Sequence, residues 1–179
     1  MITDRPVVID TCVLINILAT GRVAEIIRVI APMLLVCPAV AEESLYLRPF
    51  EAEGRPEPVD LQKLIAAGIL TPCQMEEGTE VDLYVAYAED LDDGEAMSLA
   101  IAQSRHLALV TDERKALRLA RENAPQLSLI STTEIIRAWT EGKDPSAVTA
   151  VVHSILKRAK FRPADSDPLA LWWNKMLDG

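Results

Sequence analysis

The stretch Val7-Val8-Ile9-Asp10-Thr11 is a short, β-branched apolar run that closes on a carboxylate. The same pattern returns in Leu107-Ala108-Leu109-Val110-Thr111-Asp112. A carboxylate at the C-terminal end of a buried strand is costly unless something positive meets it. In open α/β sheets the carboxyl ends of the strands are also where ligands bind. Two more acids stand between these runs in marked settings. Glu43 lies in Pro38-Ala39-Val40-Ala41-Glu42-Glu43, and Glu95 in Asp92-Asp93-Gly94-Glu95-Ala96. Acids spread along the chain but placed to meet at one sheet edge point to a divalent metal site.

Outward from these runs, the sequence predicts strands at 7–9, 33–37, 107–111 and 127–131, separated by helices. Val23, Ile26, Ile27 and Ile30 share one helix face, as do Leu61, Leu64, Ile65 and Ile69, and then Val81, Val85 and Ala88. Segment 95–105 is apolar almost all round and predicts a buried helix. Segment 113–123 opposes Arg114, Lys115, Arg118, Arg121 and Glu122 to Leu117 and Ala120. Strands alternating with helices imply a parallel sheet covered on both faces. Residues 49–58, with Pro49, Gly54, Pro56 and Pro58, read as a connection. Val148, Val151, Val152, Ile155, Leu156 and Ala159 follow a helical period. A Pro163-to-Pro168 linker then leads to a tail holding Leu169, Leu171, Trp172, Trp173 and Met176. Packing of that tail on the chain's own surface is the expected role, with a partner-binding patch as the sharper alternative.

With 179 residues, half of them hydrophobic, the chain can bury a core. The three cysteines, Cys12, Cys37 and Cys73, lack paired spacing, which argues for free thiols in a reducing compartment. His106 and His153 are isolated. No run approaches the ~20 apolar residues of a membrane span, and Asp4 and Asp10 spoil a signal peptide. These features predict a cytoplasmic protein. The formal charge of −9 opposes non-specific nucleic-acid binding over the whole surface but permits a local basic stripe.

Mg²⁺ and Mn²⁺ prefer oxygen ligands and take few carboxylates. Such ions can lower the pKa of a bound water and stabilise a phosphoryl transition state, so that no protein nucleophile is needed. Each acid also has a plainer role open to it. Asp10 and Asp112 precede helices and could cap them. Glu95 could favour a helix macrodipole, as could Asp92 or Asp93. Spacing alone does not choose between Glu42 and Glu43.

Together these segments resemble a PIN domain. The resemblance is carried by Val8-Ile9-Asp10-Thr11-Cys12-Val13-Leu14-Ile15-Asn16, by Val40-Ala41-Glu42-Glu43, by Asp93-Gly94-Glu95-Ala96-Met97-Ser98-Leu99-Ala100, and by Leu109-Val110-Thr111-Asp112-Glu113-Arg114-Lys115-Ala116. It implies a Rossmann-like three-layer α/β/α sandwich with a central parallel sheet over residues 1–138, plus a C-terminal helical extension, 139–179, packed on it. It also implies a metal-dependent endoribonuclease using Mg²⁺ or Mn²⁺. Asp10, Glu43, Glu95 and Asp112 are the expected catalytic acids, with Asp10, Glu95 and Asp112 as metal ligands. Thr11 and Asn16 are the expected small polar residues beside the substrate. Arg114, Lys115 and Arg118 are candidates for its phosphates, with a solvated helix face as their plain alternative.

Small bacterial members of the resembled family include VapC-type toxins, which implies an RNA substrate, an antitoxin partner and a homodimer. The Gly94-Glu95-Ala96 form also resembles a related branch of the family. A haloacid-dehalogenase-like phosphatase would need an Asp where Cys12 stands. A receiver domain would need a second acid beside Asp10 and a lysine after the last strand, where Leu129-Ile130-Ser131-Thr132 has none. The rival functions are a non-catalytic interaction protein on the same scaffold and a nuclease acting on DNA.

Overall fold

A computed structural model describes residues 1–43, 45–51 and 53–178. Val7, Val8 and Ile9 form β1 (Val7–Ile9), and each is wholly buried. A strand with no exposed face must lie inside a sheet covered on both sides. Accordingly β1 sits at the centre of a five-stranded parallel sheet. Its flanks are β2 (Leu34–Val36) and β6 (Ala108–Val110), with β5 (Thr71–Pro72) outside β2 and β7 (Leu129–Ile130) outside β6. The chain leaves β1 for one side of the sheet and later returns on the other. The crevice beyond β1 and β6 is therefore a topological switch point. In register, Ile9 faces Val110, so Asp10 and Thr111 leave the sheet side by side, with Asp112 next after Thr111.

The helices α1 (Thr11–Ala19), α2 (Val23–Ile30), α3 (Pro38–Glu42), α4 (Leu61–Ala66), α5 (Thr79–Tyr87), α6 (Asp93–Ser104), α7 (Arg114–Asn123) and α8 (Thr132–Trp139) cover the sheet. In α6, Ala96, Leu99, Ala100, Ile101 and Ala102 are fully buried, as its all-round apolar sequence predicts. The remaining helices are α9 (Pro145–Ala159) and α10 (Ala170–Asp178). Val148, Val151, Val152, Ile155 and Trp173 join the same buried cluster as β1, so the tail packs on the chain's own surface. Leu171 alone among the tail's large apolar residues stays largely exposed, at 87%.

Besides β5, which the sequence does not mark, and α4, which ends at Ala66 short of Ile69, the structure departs from the sequence reading in two larger places. Residues 49–58, of which Ala52 lies outside the described residues, are not only a connection. Glu57 and Pro58 enter β4 (Glu57–Val59), which pairs antiparallel with β3 (Leu45–Leu47). Two three-residue strands are too short to hold alone, and the end of α9 supports them. Arg158, 8% exposed, donates through Nε to the Arg48 carbonyl at 3.2 Å and through Nη2 to Glu57, and lies over the Phe50 ring. The Arg48 N–H in turn donates to the Arg158 carbonyl at 3.0 Å.

The second departure is the orientation of α5. Val81 and Val85 face outward, while Glu80 is 3% exposed. Glu80 turns inward because Arg105 meets it with two hydrogen bonds, 2.6 Å from Nε and 2.9 Å from Nη2, while the Glu76 N–H donates at 2.7 Å. Arg105 also donates to the Gln74 carbonyl at 2.7 Å. Burial acts to raise the Glu80 carboxyl, but the Arg105 guanidinium and the Glu76 N–H outweigh it, so the net direction is downward.

Removing Arg105 leaves a buried carboxylate without its partner. Arg105→Met is expected to cost roughly 3 kcal/mol at pH 7, taken at the low end because Arg105 keeps part of its surface in water. A depressed carboxyl stabilises the fold above its unfolded pKa and loses that contribution as pH falls through its folded value. Urea unfolding should therefore show the deficit at pH 7 and a narrowing gap below about pH 4. An equal gap at both pH values would contradict this account of α5.

Candidate active site

Asp10 ends β1 and caps α1, with Oδ1 accepting from the Thr11 N–H at 2.7 Å. Its Oδ2 accepts from the Thr111 hydroxyl at 2.8 Å and from the Cys12 thiol at 3.2 Å. Cys12 reaches the other strand end too, since the Asp112 N–H donates to its sulfur at 3.3 Å. Thr111 closes the arrangement by accepting from the Glu113 N–H at 3.1 Å. One thiol and one hydroxyl thus join the two strand ends.

Asp112 is held by the start of α8, just past β7, and by α1. Its Oδ1 accepts from the Thr132 N–H at 3.0 Å. Its Oδ2 accepts from the Thr132 hydroxyl at 2.5 Å and from Asn16 Nδ2 at 3.2 Å. Asn16 Nδ2 also donates to Thr132 Oγ1 at 3.0 Å. Asp112 does not cap α7; Glu113 does, accepting from the Lys115 N–H at 3.3 Å.

The other two candidate acids stand at helix ends. Glu95 forms a capping box with Asp92 at the start of α6. Glu43 follows α3 and accepts from the Thr11 hydroxyl at 2.6 Å, which ties it, rather than Glu42, to the Asp10 turn.

These acids share an electrostatic problem. Among the described residues none of Asp10, Glu43, Glu95 and Asp112 takes part in an ion pair. Burial raises the Asp10 carboxyl against the Thr111, Cys12 and Thr11 hydrogen bonds, with Asp92 adding repulsion. Burial pushes Asp112 up to about 6, opposed by Thr132 and Asn16 and reinforced by Asp167. Glu95 is pushed up to about 7 by burial and then by the charges of Asp92, Glu113 and Asp10. Uncompensated carboxylates at one sheet edge are a demand for a cation.

The donor chemistry fits a hard divalent ion. Asp10 and Asp112 are fixed by protein hydrogen bonds, yet Oδ1 of each accepts only one, which leaves acceptor capacity. The Cys12 thiol, raised by burial and by Asp10, stays protonated and so offers no soft thiolate ligand. In this conformation no three Asp, Glu, His or Cys side chains among the described residues form a ready ligand set. Glu95 is turned back onto its own helix start, where Oε2 accepts from the Asp92 N–H at 3.4 Å.

The residues expected beside the substrate divide. Asn16 is 3% exposed, and its amide acts on Asp112, so it is a positioning residue and not a rim contact. Thr11 connects Asp10 with Glu43. Lys115 donates to the Asp90 carbonyl at 3.1 Å, and Arg118 pairs with Glu122 at 3.2 Å. Arg114 opens into a groove beside Asp112. Sequence reasoning missed Thr132. Its signal was its place just after the β7 strand, the neighbour of the strand that carries Asp112.

A raised carboxyl reverses the usual pH dependence. The folded chain binds the Glu95 proton more tightly than the unfolded chain does. Stability therefore falls as pH rises from about 4.5 to about 7, and is flat above. Glu95→Gln keeps the capping geometry and removes the charge. In EDTA it is expected to be more stable than the parent at pH 8 by roughly 1 kcal/mol, discounted for partial exposure, and equal to it at pH 4. A variant less stable than the parent at pH 8 would contradict the charge crowding.

The chain matches the family model described as PIN domain over residues 6–166, a span that takes in Asp10, Glu43, Glu95 and Asp112. No curated protein and no solved structure gives a match to the chain. PIN domains are generally nucleases and usually use divalent metals. The family match, the parallel sheet and the strand-end carboxylates lead to one assignment: the chain belongs to the PIN domain family.

Proposed function

We propose that the chain is a metal-dependent endoribonuclease. The observation that carries this reading is the pair of uncompensated carboxylates, Asp10 and Asp112, at the carboxyl ends of neighbouring strands. A Mg²⁺ or Mn²⁺ ion held by Asp10, Asp112 and Glu95 would supply water activation and charge neutralisation at the scissile phosphate.

The chain's own residues set up that chemistry. Thr111, Cys12 and the Thr11 N–H fix the rotamer of Asp10, and Thr132 with Asn16 fixes that of Asp112. Preorganised ligands need no rearrangement when charge develops. In the metal-free chain burial and the charges of Asp92, Glu113 and Asp10 raise the Glu95 carboxyl, a cost that a cation held beside it would relieve. Glu43 and Thr11 line the approach to Asp10 and are assigned to water or substrate positioning. Arg114 is assigned to substrate phosphate. The family resemblance extends the reading to the toxin of a toxin–antitoxin pair acting as a homodimer, with residues 139–179 as a helical extension of the nuclease domain.

Asp10→Asn and Asp112→Asn are each expected to lower Mn²⁺-dependent cleavage of a structured RNA by more than the roughly 100-fold that loss of an outer-shell partner costs. Both variants should stay folded, with some loss of stability in Asp112→Asn, whose amide NH2 must face either the Thr132 N–H or Asn16 Nδ2. EDTA should abolish cleavage by the parent. Wild-type cleavage by either folded variant would remove these residues from the mechanism, and cleavage of DNA but not RNA would reassign the substrate.

A further inference from the structure

Arg114 and Arg121 lie a helical stretch apart on α7, while Arg162 comes from the linker between α9 and α10. Along the chain, α8 and α9 separate Arg162 from the two arginines of α7. The structure brings all three to one groove of about 990 Å³, whose wall also includes Thr111 and Asp112. One side of the groove is built by α7 and β7, and the other by residues 161–169. Among the described residues, none of these arginines takes part in an ion pair or a side-chain hydrogen bond.

Their freedom contrasts with the acids of the same wall. Asp112, Glu134 and Asp167 already accept hydrogen bonds from Thr132, Ser131 and Thr133, and Asp165 is the remaining carboxylate. Between the arginines the lining is apolar, with Leu117, Leu129, Pro163 and Leu169. Three uncommitted guanidiniums over apolar surface in a chain of net charge −9 are a local exception to its field.

The far wall is held in place before any ligand arrives. Thr133 donates to Asp167 at 2.8 Å, and the Leu169 N–H donates to the same carboxylate at 2.7 Å. Phe161 meets the wholly buried Trp173 edge-on, with ring centroids 5.4 Å apart. A preformed wall lowers the ordering cost of binding.

We propose that this groove is a subsite for the strand that runs on from the scissile phosphate, with Arg114, Arg121 and Arg162 each meeting a backbone phosphate and the apolar lining taking unpaired bases. A duplex keeps its bases stacked inside and would leave that lining unused, whereas a single strand exposes base faces to it. The C-terminal linker thereby becomes part of the substrate site. The inference rests on the nuclease reading for the identity of its ligand.

The test is fluorescence anisotropy of the full chain with fluorescein-labelled oligouridylate in EDTA, repeated over a salt series. Arg121→Ala and Arg162→Ala are compared with Arg28→Ala, an exposed arginine on α2 outside this groove. Each groove variant should bind about 5–10-fold more weakly and lower the salt slope by about 0.7, the value for one lost phosphate contact on a single strand. Arg28→Ala should match the parent, and melting curves should show all variants folded. Unchanged affinity and slope in both groove variants would overturn the proposal. So would absence of binding by the parent at low salt, or equal displacement of the oligonucleotide by polyglutamate. Parallel cleavage assays with Mn²⁺ separate the two readings. Cleavage with no arginine dependence of binding sinks the groove alone. Arginine-dependent binding without cleavage sinks the nuclease reading alone.

Discussion

Two carboxylates are held at the ends of neighbouring strands where, among the described residues, they have hydrogen bonds but no ion pair. Asp10 is 3% exposed, and its nearest helpers are a hydroxyl, a thiol and one N–H. Hydrogen bonds lower a carboxyl's pKa, yet for Asp10 and Asp112 burial outweighs them and the net direction is upward. Folding alone has no use for that cost; a hydrophobic cap at each strand end would serve stability better. Buried carboxylates without an ion pair at the switch point of a parallel sheet mark a candidate functional site.

The rest of the architecture serves this placement. Parallel pairing of β1 with β6 brings the two ends together, and the start of α8, just past β7, supplies Thr132 to fix Asp112 from the other side. The first helix contributes both ends of the arrangement: its cap is Asp10, and one turn and a half along it Asn16 reaches Asp112. The C-terminal helices extend the same logic. They join the core through Ile155 and Trp173, brace the β3–β4 hairpin through Arg158, and raise a wall beside Asp112 with residues 161–169. A segment that sequence periodicity marks as an appendage is therefore built into both the core and the edge of the site.

What could be read from the sequence follows from what local pattern encodes. The β-branched runs ending in acids, and the all-round apolar segment that became α6, carry their own evidence. The hairpin was hidden because β3 and β4 have three residues each and Pro58 reads as a breaker, although an edge strand tolerates it. The orientation of α5 was hidden because Glu80 turns inward only when Arg105, on the next helix, is there to receive it. Within the site, sequence could name Asp10 and Asp112. Spacing left Glu43 and Glu42 open, where the Thr11 hydroxyl now ties Glu43 to the Asp10 turn, and it could not foresee that Asn16 would be buried. Each of these rests on a partner distant along the chain, and single-sequence spacing carries no information about such partners.

The central claim is that Asp10 and Asp112 form a site short of positive charge, which a divalent cation completes. Its most direct test is the melting temperature of the metal-free chain titrated with MnCl₂ near pH 7.5, for the parent and for Asp10→Asn and Asp112→Asn. Binding to the folded state alone raises stability with ligand concentration. The account predicts a saturable rise for the parent and little or none for either variant. A parent curve that does not move, or variants that rise as the parent does, would contradict it.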